Sequence, residues 1–494
     1  MLSALFLWKR EFDSRSPISF FFCSAAIFLF SACSLKPERT HLQQQGPLSI
    51  LQGRTSESEI ELSILAPKGS HFRIEISNKI HSPQEPVLRR KAPIPESLWL
   101  VEKIKFENLS AGETYILRIF SEAGDLVDER TLKTFTKNSG KLRFAMISCT
   151  DDHFKSEQKT MWDHLKEAAP QIVFHLGDHV YADKVNGTPI WEADSKTLWK
   201  RYLQTRQALD VFYWKNLVPM MLLWDDHDYG QSDGDVRYGN KQLATEIFEI
   251  FSAQSFPVKG FERGPGVSWS WRRQDQDFFF LDGRSFRSPN KRSPVCLSSS
   301  SRLCKKLPDH SGFPETHFGQ ETEGWLFESL HTSHKPTWLF TGDQWFGGFS
   351  PFESYEGNAT EDFKRFASRL ARLPKTFVFG SGDRHSIELM EIAKGPLDFV
   401  TYEITSSPLH AKTFPEPWTE FPNPRNLEQF SGIFNFIMIE ASPSKSKTGL
   451  EFQAEGIGSE GQSLFKRKFQ VQDPQALKSR SSIHRADPQA SRNL

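Results

Sequence analysis

Four short apolar runs along this 494-residue chain end in the same manner. FAMISC ends at Cys149 and IVFHLGD at Asp178. MMLLWDD ends at Asp225 and Asp226, and FVFGSGD ends at Asp383, with His385 two residues on. Such runs read as buried strands. Segments with helical spacing, EQKTMWDHLKEA and NKQLATEIFEIFSAQ, lie between them. Alternating strands and helices predict a layered α/β domain. In α/β sheets, ligands bind just beyond the carboxyl ends of the strands. Carboxylates crowded as in the Asp225–Asp226–His227–Asp228 block resist ionising unless a cation neutralises them. A single strand-ending Gly-Asp is usually a turn. Four such ends, two of them with a histidine, predict a convergent metal site.

Each candidate also has a plainer reading. Cys149 can be an inert buried thiol. His227 can be a strand-end hydrogen-bonding residue, and Tyr181 can be packing. Arg284 and Arg287 in LDGRSFR can be salt-bridge partners or phosphate contacts. Asp233 and Asp235 read as turn residues, and His175 and His179 as either structural or functional. The Trp-rich stretch WEADSKTLWKRYLQTRQALDVFYW reads as a core helix rather than a ligand box.

The remaining chain divides by texture. Lys9, Arg10 and Arg15 precede ISFFFCSAAIFLFSAC, the layout of an export signal over residues 1–33. The apolar run is short for a membrane-spanning helix. Its end, LFSAC, resembles the lipobox of bacterial lipoproteins, with Cys33 as the lipid-carrying residue; a plain cleaved signal and an uncleaved anchor stay open. The expected location is the periplasm or outer membrane as a lipoprotein, otherwise secreted. Residues 34–46 read as a polar linker and 472–494 as a disordered tail. Export implies an oxidising compartment, in which Cys296 and Cys304 can close the loop CLSSSSRLC as a disulfide. Residues 47–137 carry short alternating runs separated by turn residues, which predict an antiparallel β-sandwich. Lys and Arg total 61, as do Asp and Glu, so no global field argues for nucleic acid as a partner. The 43 Phe predict large aromatic cores.

LGDHVYAD, LWDDHDYGQSDGD, LDGRSFR, FGQETEGWLFESLHTSHKPTWLFTGDQW and FGSGDRHS follow in this order. Together they resemble the PhoD-like alkaline phosphatases and phosphodiesterases, within the calcineurin-like metallophosphoesterases. The resemblance implies a four-layer αββα sandwich over residues 141–471, preceded by an immunoglobulin- or fibronectin-like sandwich. It implies Cys149, Asp178, Tyr181, Asp225, Asp226, Asp383 and His385 as metal ligands. It also implies two or more metal ions, with ferric iron suiting the thiolate and phenolate and calcium the oxygen-rich remainder. Asp151 and His153, at the Asp-x-His spacing of the wider superfamily, are the alternative to Cys149. His227 is the residue implied for protonating the leaving oxygen or stabilising the transition state. Arg284 or Arg287 is implied as a hold on a non-bridging phosphoryl oxygen. His179 and Arg384 depart from the family pattern and bear on substrate choice. The expected activity is hydrolysis of phosphoric mono- or diesters by a metal-activated hydroxide, in a monomer held at a membrane by its lipid. The alternative is a cell-surface binding lipoprotein with structural metals. A zinc β-lactamase-type hydrolase needs a His-x-His-x-Asp-His run, which the chain lacks.

Overall fold

The computed structural model describes residues 47–79, 82–137, 140–290, 312–349, 353–393, 397, 399–414 and 423–472. Cys33, Cys296 and Cys304 lie outside the described residues, and with them the expected lipid anchor and disulfide. Among the described residues, no helix is long and apolar enough to cross a membrane.

Residues 49–133 form two antiparallel sheets. The first has the order Ser49–Thr55, Ile60–Pro67, Trp99–Phe106 and Leu88–Pro93. The second runs Arg73–Ser77, Thr114–Phe120 and Leu126–Lys133. Alternation along the strands decides the packing. Ile60, Leu62 and Ile64 join Ile74, Ile76, Leu117 and Ile119 in one core cluster. The opposite face of the same strand carries Glu61 and Ser63, which are also buried. Glu61 accepts the backbone N–H groups of Ser255 (2.8 Å) and Phe256 (3.2 Å), and Ser63 Oγ donates to the Phe251 carbonyl (3.1 Å). The buried Arg206 guanidinium donates to the carbonyls of Ser49, Ser63 and Phe251. Buried polar groups satisfied in this way stitch the β region to the segment that follows the second of the aspartate-bearing strands.

The α/β region holds a six-stranded and an eight-stranded sheet. Met220–Leu223, Ile172–Leu176 and Leu142–Ile147 are parallel neighbours in the first; Asn435–Pro443, Leu450–Gly458 and Ser463–Val471 extend it antiparallel. Gln276–Phe280, Thr337–Phe340, Phe377–Ser381 and Thr401–Thr405 are parallel neighbours in the second. An aromatic layer joins the two sheets. Phe144 meets Trp338 edge-on at 5.3 Å and Phe174 meets Phe280 at 4.8 Å across them, while Trp269 stacks on Phe280 at 3.7 Å within the eight-stranded sheet. Truncating one such ring to Ala typically costs about 3–5 kcal/mol. This rigid core fixes where the parallel strands end, and both sheets end them at the same edge of the molecule.

Candidate metal centre

Short turns after these strands turn side chains toward one another. Cys149 (φ +56°), Asp178 (φ +58°), Asp383 (φ +58°) and His385 (φ +51°) all have left-handed backbone. That conformation is uncommon for residues other than glycine, and its strain persists where surrounding structure over-determines it. Close approach needs glycine beside them. A Cβ on Gly177 would lie 2.4 Å from Asp225 Cβ, and one on Gly342 would lie 2.5 Å from Asp225 Cγ.

Among the described residues, three groups of possible ligand atoms interlock, each with its atoms within 4.8 Å of one another. They are Cys149, Asp178 and His385; Asp178, Asp226 and His227; and Asp225, Asp226 and Asp383. Asp178 and Asp226 are shared, so the groups form one continuous cluster. Tyr181 packs with Cys149 and stacks on His227 at 4.2 Å. The structure thus brings Cys149, Asp178, Tyr181, Asp225, Asp226, Asp383 and His385 together in one place. Asp151, Asp152 and His153 form a separate group. There Asp151 is paired with Lys184 and with His153 (2.7 Å), and Asp152 is paired with Arg201 (2.5 Å).

The cluster is electrostatically unbalanced. Burial pushes the Asp178 and Asp225 carboxyls well above the usual range, and neighbouring carboxylates add to it. Burial and the Asp226 carboxylate push Asp383 up to about 7. Burial pushes the Cys149 thiol up to about 12, against hydrogen bonds with Ser148 and Ser407. The buried Tyr181 Oη and Asp225 Oδ2 have no hydrogen-bond partner among the described residues. Buried oxygens without a hydrogen-bond partner, in a crowd of acids that resist ionising, fit cations that would neutralise them. The donor set is oxygen-rich at Asp225, Asp226 and Asp383, and mixed at Cys149, Tyr181 and His385.

Both histidines are oriented as ligands or proton carriers require. His385 Nδ1 donates to the Lys412 carbonyl, and burial holds its ring neutral, down to about 4. His227 Nδ1 pairs with Asp183 Oδ1 at 2.7 Å, leaving Nε2 for the cavity. A partner on the second ring nitrogen fixes tautomer and orientation. Burial acts to lower the His227 pKa, but the Asp226, Asp178 and Asp183 carboxylates outweigh it and raise it well above the ordinary value.

A cavity of about 460 Å³ opens over the cluster. Tyr181, Asp226, His227, Asp383 and His385 line it, together with Lys184, Arg384, Lys412, Ser232, Asp233, Glu353, Pro189 and Phe414. Arg284 and Arg287 do not line it. Arg284 is fully buried behind the cluster, donating from Nε to Asp225 (2.5 Å) and pairing through Nη2 with Glu353 (2.8 Å). Arg287 pairs with Glu353 (2.9 Å) and Asp343 (3.5 Å). The salt-bridge reading of this pair fits their surroundings; the cations that line the cavity are Lys184, Arg384 and Lys412.

Three positioning residues received no role from sequence. Asp228 accepts the backbone N–H groups of Asp178 (2.5 Å), Val180 (2.7 Å) and Asp225 (2.9 Å), and lies 2.5 Å from His179 Nδ1. It thereby ties two strand ends together. Ser407 lies 3.1 Å from Cys149 Sγ and accepts from the His385 N–H (2.9 Å). Asp183 holds His227. Only Asp228 carried a signal, as the third carboxylate of its block.

No family model and no curated protein matches the chain. Among solved structures it is similar to one described as the structure of PhoD. The TM-score is 0.59, the identity 14%, and the match covers 88% of this chain and 97% of that one. The fold is that of PhoD. At this identity the likeness speaks to architecture, and the chemistry has to come from the cluster itself.

Proposed function

We propose that the chain is a metal-dependent phosphoric ester hydrolase acting on mono- or diesters at the cell envelope. The observation that carries this is the interlocked ligand cluster at the floor of an open cavity, with the Asp183–His227 pair beside it. Cys149, Tyr181, His385 and Asp178 would hold one cation, for which iron suits the thiol and phenol. Asp225, Asp226 and Asp383 would hold an oxygen-loving cation such as calcium. Cations so held neutralise phosphoryl oxygens and acidify water.

The protein's own groups do the rest. Arg284 holds Asp225 in place from behind. Lys184, Arg384 and Lys412 face the cavity with positive charge for the non-bridging oxygens. His227, protonated through its carboxylate neighbours, carries a proton on Nε2. As a water oxygen bonds to phosphorus, the bond from phosphorus to the leaving oxygen breaks; the His227 proton passes to that leaving oxygen, which departs as a neutral alcohol, and the proton the water gives up stays with the phosphate product or passes to solvent. In architecture, we read the two sheets joined by aromatic rings as the inner layers of an αββα sandwich. Residues 49–133 are the preceding immunoglobulin-like module.

The competing reading is a binding lipoprotein with structural metals. Metal analysis together with a screen of phosphomonoesters and phosphodiesters separates the two. Hydrolysis that disappears on chelation supports the enzyme, and a metal-replete protein without hydrolysis supports the binding module.

A further inference from the structure

The chain from Leu409 to Lys412 runs alongside the strand end at Cys149. The Leu409 N–H donates to the Ser148 carbonyl (2.8 Å) and the His410 N–H to the Cys149 carbonyl (3.3 Å). The Asp151 N–H donates in turn to the His410 carbonyl (3.1 Å). Ala411 is buried with Cys149 and Tyr181. Lys412 follows, and its carbonyl accepts from His385 Nδ1. Its backbone is thus fixed at the cluster by its neighbours and by a candidate ligand. Its side chain lines the cavity, and the residue is exposed.

The other charged groups that line the cavity are accounted for. Asp226 and Asp383 belong to the ligand cluster, and His227 pairs with Asp183. Glu353 pairs with Arg284 and Arg287, and the Asp233 N–H donates to Asp226 Oδ2 (2.7 Å). Lys184 pairs with Asp151. Arg384 is buried in the field of the Glu388, Asp383, Glu403 and Glu353 carboxylates. Lys412 differs. Among the described residues no carboxylate pairs with its Nζ, which lies 5.0 Å from the Phe414 ring centre. A ring face attracts a cation without neutralising it. The cavity, about 460 Å³, is of the size that takes a whole small molecule, more than a phosphoryl group alone.

We propose that Lys412 selects esters whose alcohol portion carries a second anionic group, a carboxylate or a phosphate, beyond the phosphorus that is attacked. The proposal rests on the reading of the cavity as a phosphoric ester site and adds the class of substrate. An ammonium on a four-carbon stem is a compact point charge with three rotatable donors, so it meets a terminal anion without demanding one geometry. Binding of a non-reacting part of the substrate holds the reacting part in place. Here the anchor of that hold is a residue whose carbonyl also positions His385.

The test uses the metal-loaded chain and three non-hydrolysable probes titrated by calorimetry: 4-phosphonobutanoate, butane-1,4-bisphosphonate and butylphosphonate. The wild type should bind at least one of the two doubly anionic probes about fivefold more tightly than butylphosphonate, the upper scale of an exposed ion pair. Which of the two binds more tightly identifies the second group as carboxylate or phosphate. Lys412→Met should bring the ratio toward one, and Lys412→Arg should keep most of it. Both variants retain the backbone carbonyl that His385 uses, and thermal unfolding checks that they fold. Equal affinities for all three probes in the wild type, or no binding of any, would overturn the proposal. So would a ratio unchanged in Lys412→Met, including an equal loss on every probe, which would confine Lys412 to the scissile phosphoryl group. Binding does not require turnover, so the two readings fail separately. A Lys412-dependent ratio with no hydrolysis of any ester sinks the hydrolase reading alone, whereas hydrolysis without the ratio sinks the second-anion site alone.

Discussion

Asp183 Oδ1 lies 2.7 Å from His227 Nδ1, and the Tyr181 ring stacks on the same imidazole. The histidine is therefore fixed on one edge and one face, with its other nitrogen free for chemistry. Asp183→Asn should keep the metal and slow turnover, because it removes a carboxylate that raises the His227 pKa. The active form carries the proton, so activity should fall as pH rises through that pKa, and in Asp183→Asn the fall should begin at lower pH. His227→Ala should cost about a hundredfold, the scale of lost general acid help, and less on an activated aryl ester. Metal content and pH–rate profiles on both esters check this. Unchanged profiles would remove the pair from the mechanism.

Asp178 belongs to two of the three ligand groups and Cys149 to one. Asp178→Asn should therefore lose more bound metal than Cys149→Ser. Elemental analysis of the purified variants decides it. Equal losses would contradict the shared position of Asp178.

Buried acids with raised pKa values make the metal-free protein sensitive to pH. Asp383 titrates from 3.8 in the unfolded chain to about 7 in the fold. Between those values the folded state holds more protons, so stability falls as pH rises. Thermal unfolding of chelated protein should show this decline, and added metal should reduce it. A chelated protein that grows more stable across that range would contradict the crowded-carboxylate account.

Asp228 accepts from three backbone N–H groups at two strand ends. Asp228→Ala leaves them buried without a partner, at about 1–3 kcal/mol each. The expected outcome is a large drop in unfolding temperature, together with loss of metal. Asp228→Asn, which retains one acceptor oxygen, should recover part of both.

The strands, their order along the chain and the cluster were legible because apolar runs ending in ligands are local patterns. Cys149, Asp178, Asp225, Asp226 and Asp383 each sit where a single run stops. What was not legible depends on distant pairing. Ser407 reaches Cys149 across 258 positions, and Glu353 meets Arg284 across 69. Arg284 and Arg287 left two readings open because their spacing does not say which way they point; the fold turns them inward to Asp225, Glu353 and Asp343. Trp191 was absorbed into a helix because its neighbours have helical spacing; the helix begins at Ser195, and the cap that excludes Trp191, Asp194 accepting the Thr197 N–H, is a three-residue detail.

The central claim is that the cluster holds metal in order to hydrolyse phosphoric esters. The direct measurement is the rate on a panel of mono- and diesters for wild type, Asp226→Ala and Asp383→Ala, with metal content determined on the same samples. The account predicts hydrolysis by the wild type, loss on chelation, recovery on adding metal back, and loss of both metal and activity in the two variants. A metal-replete wild type that hydrolyses none of the esters, or variants that keep full activity, would contradict it.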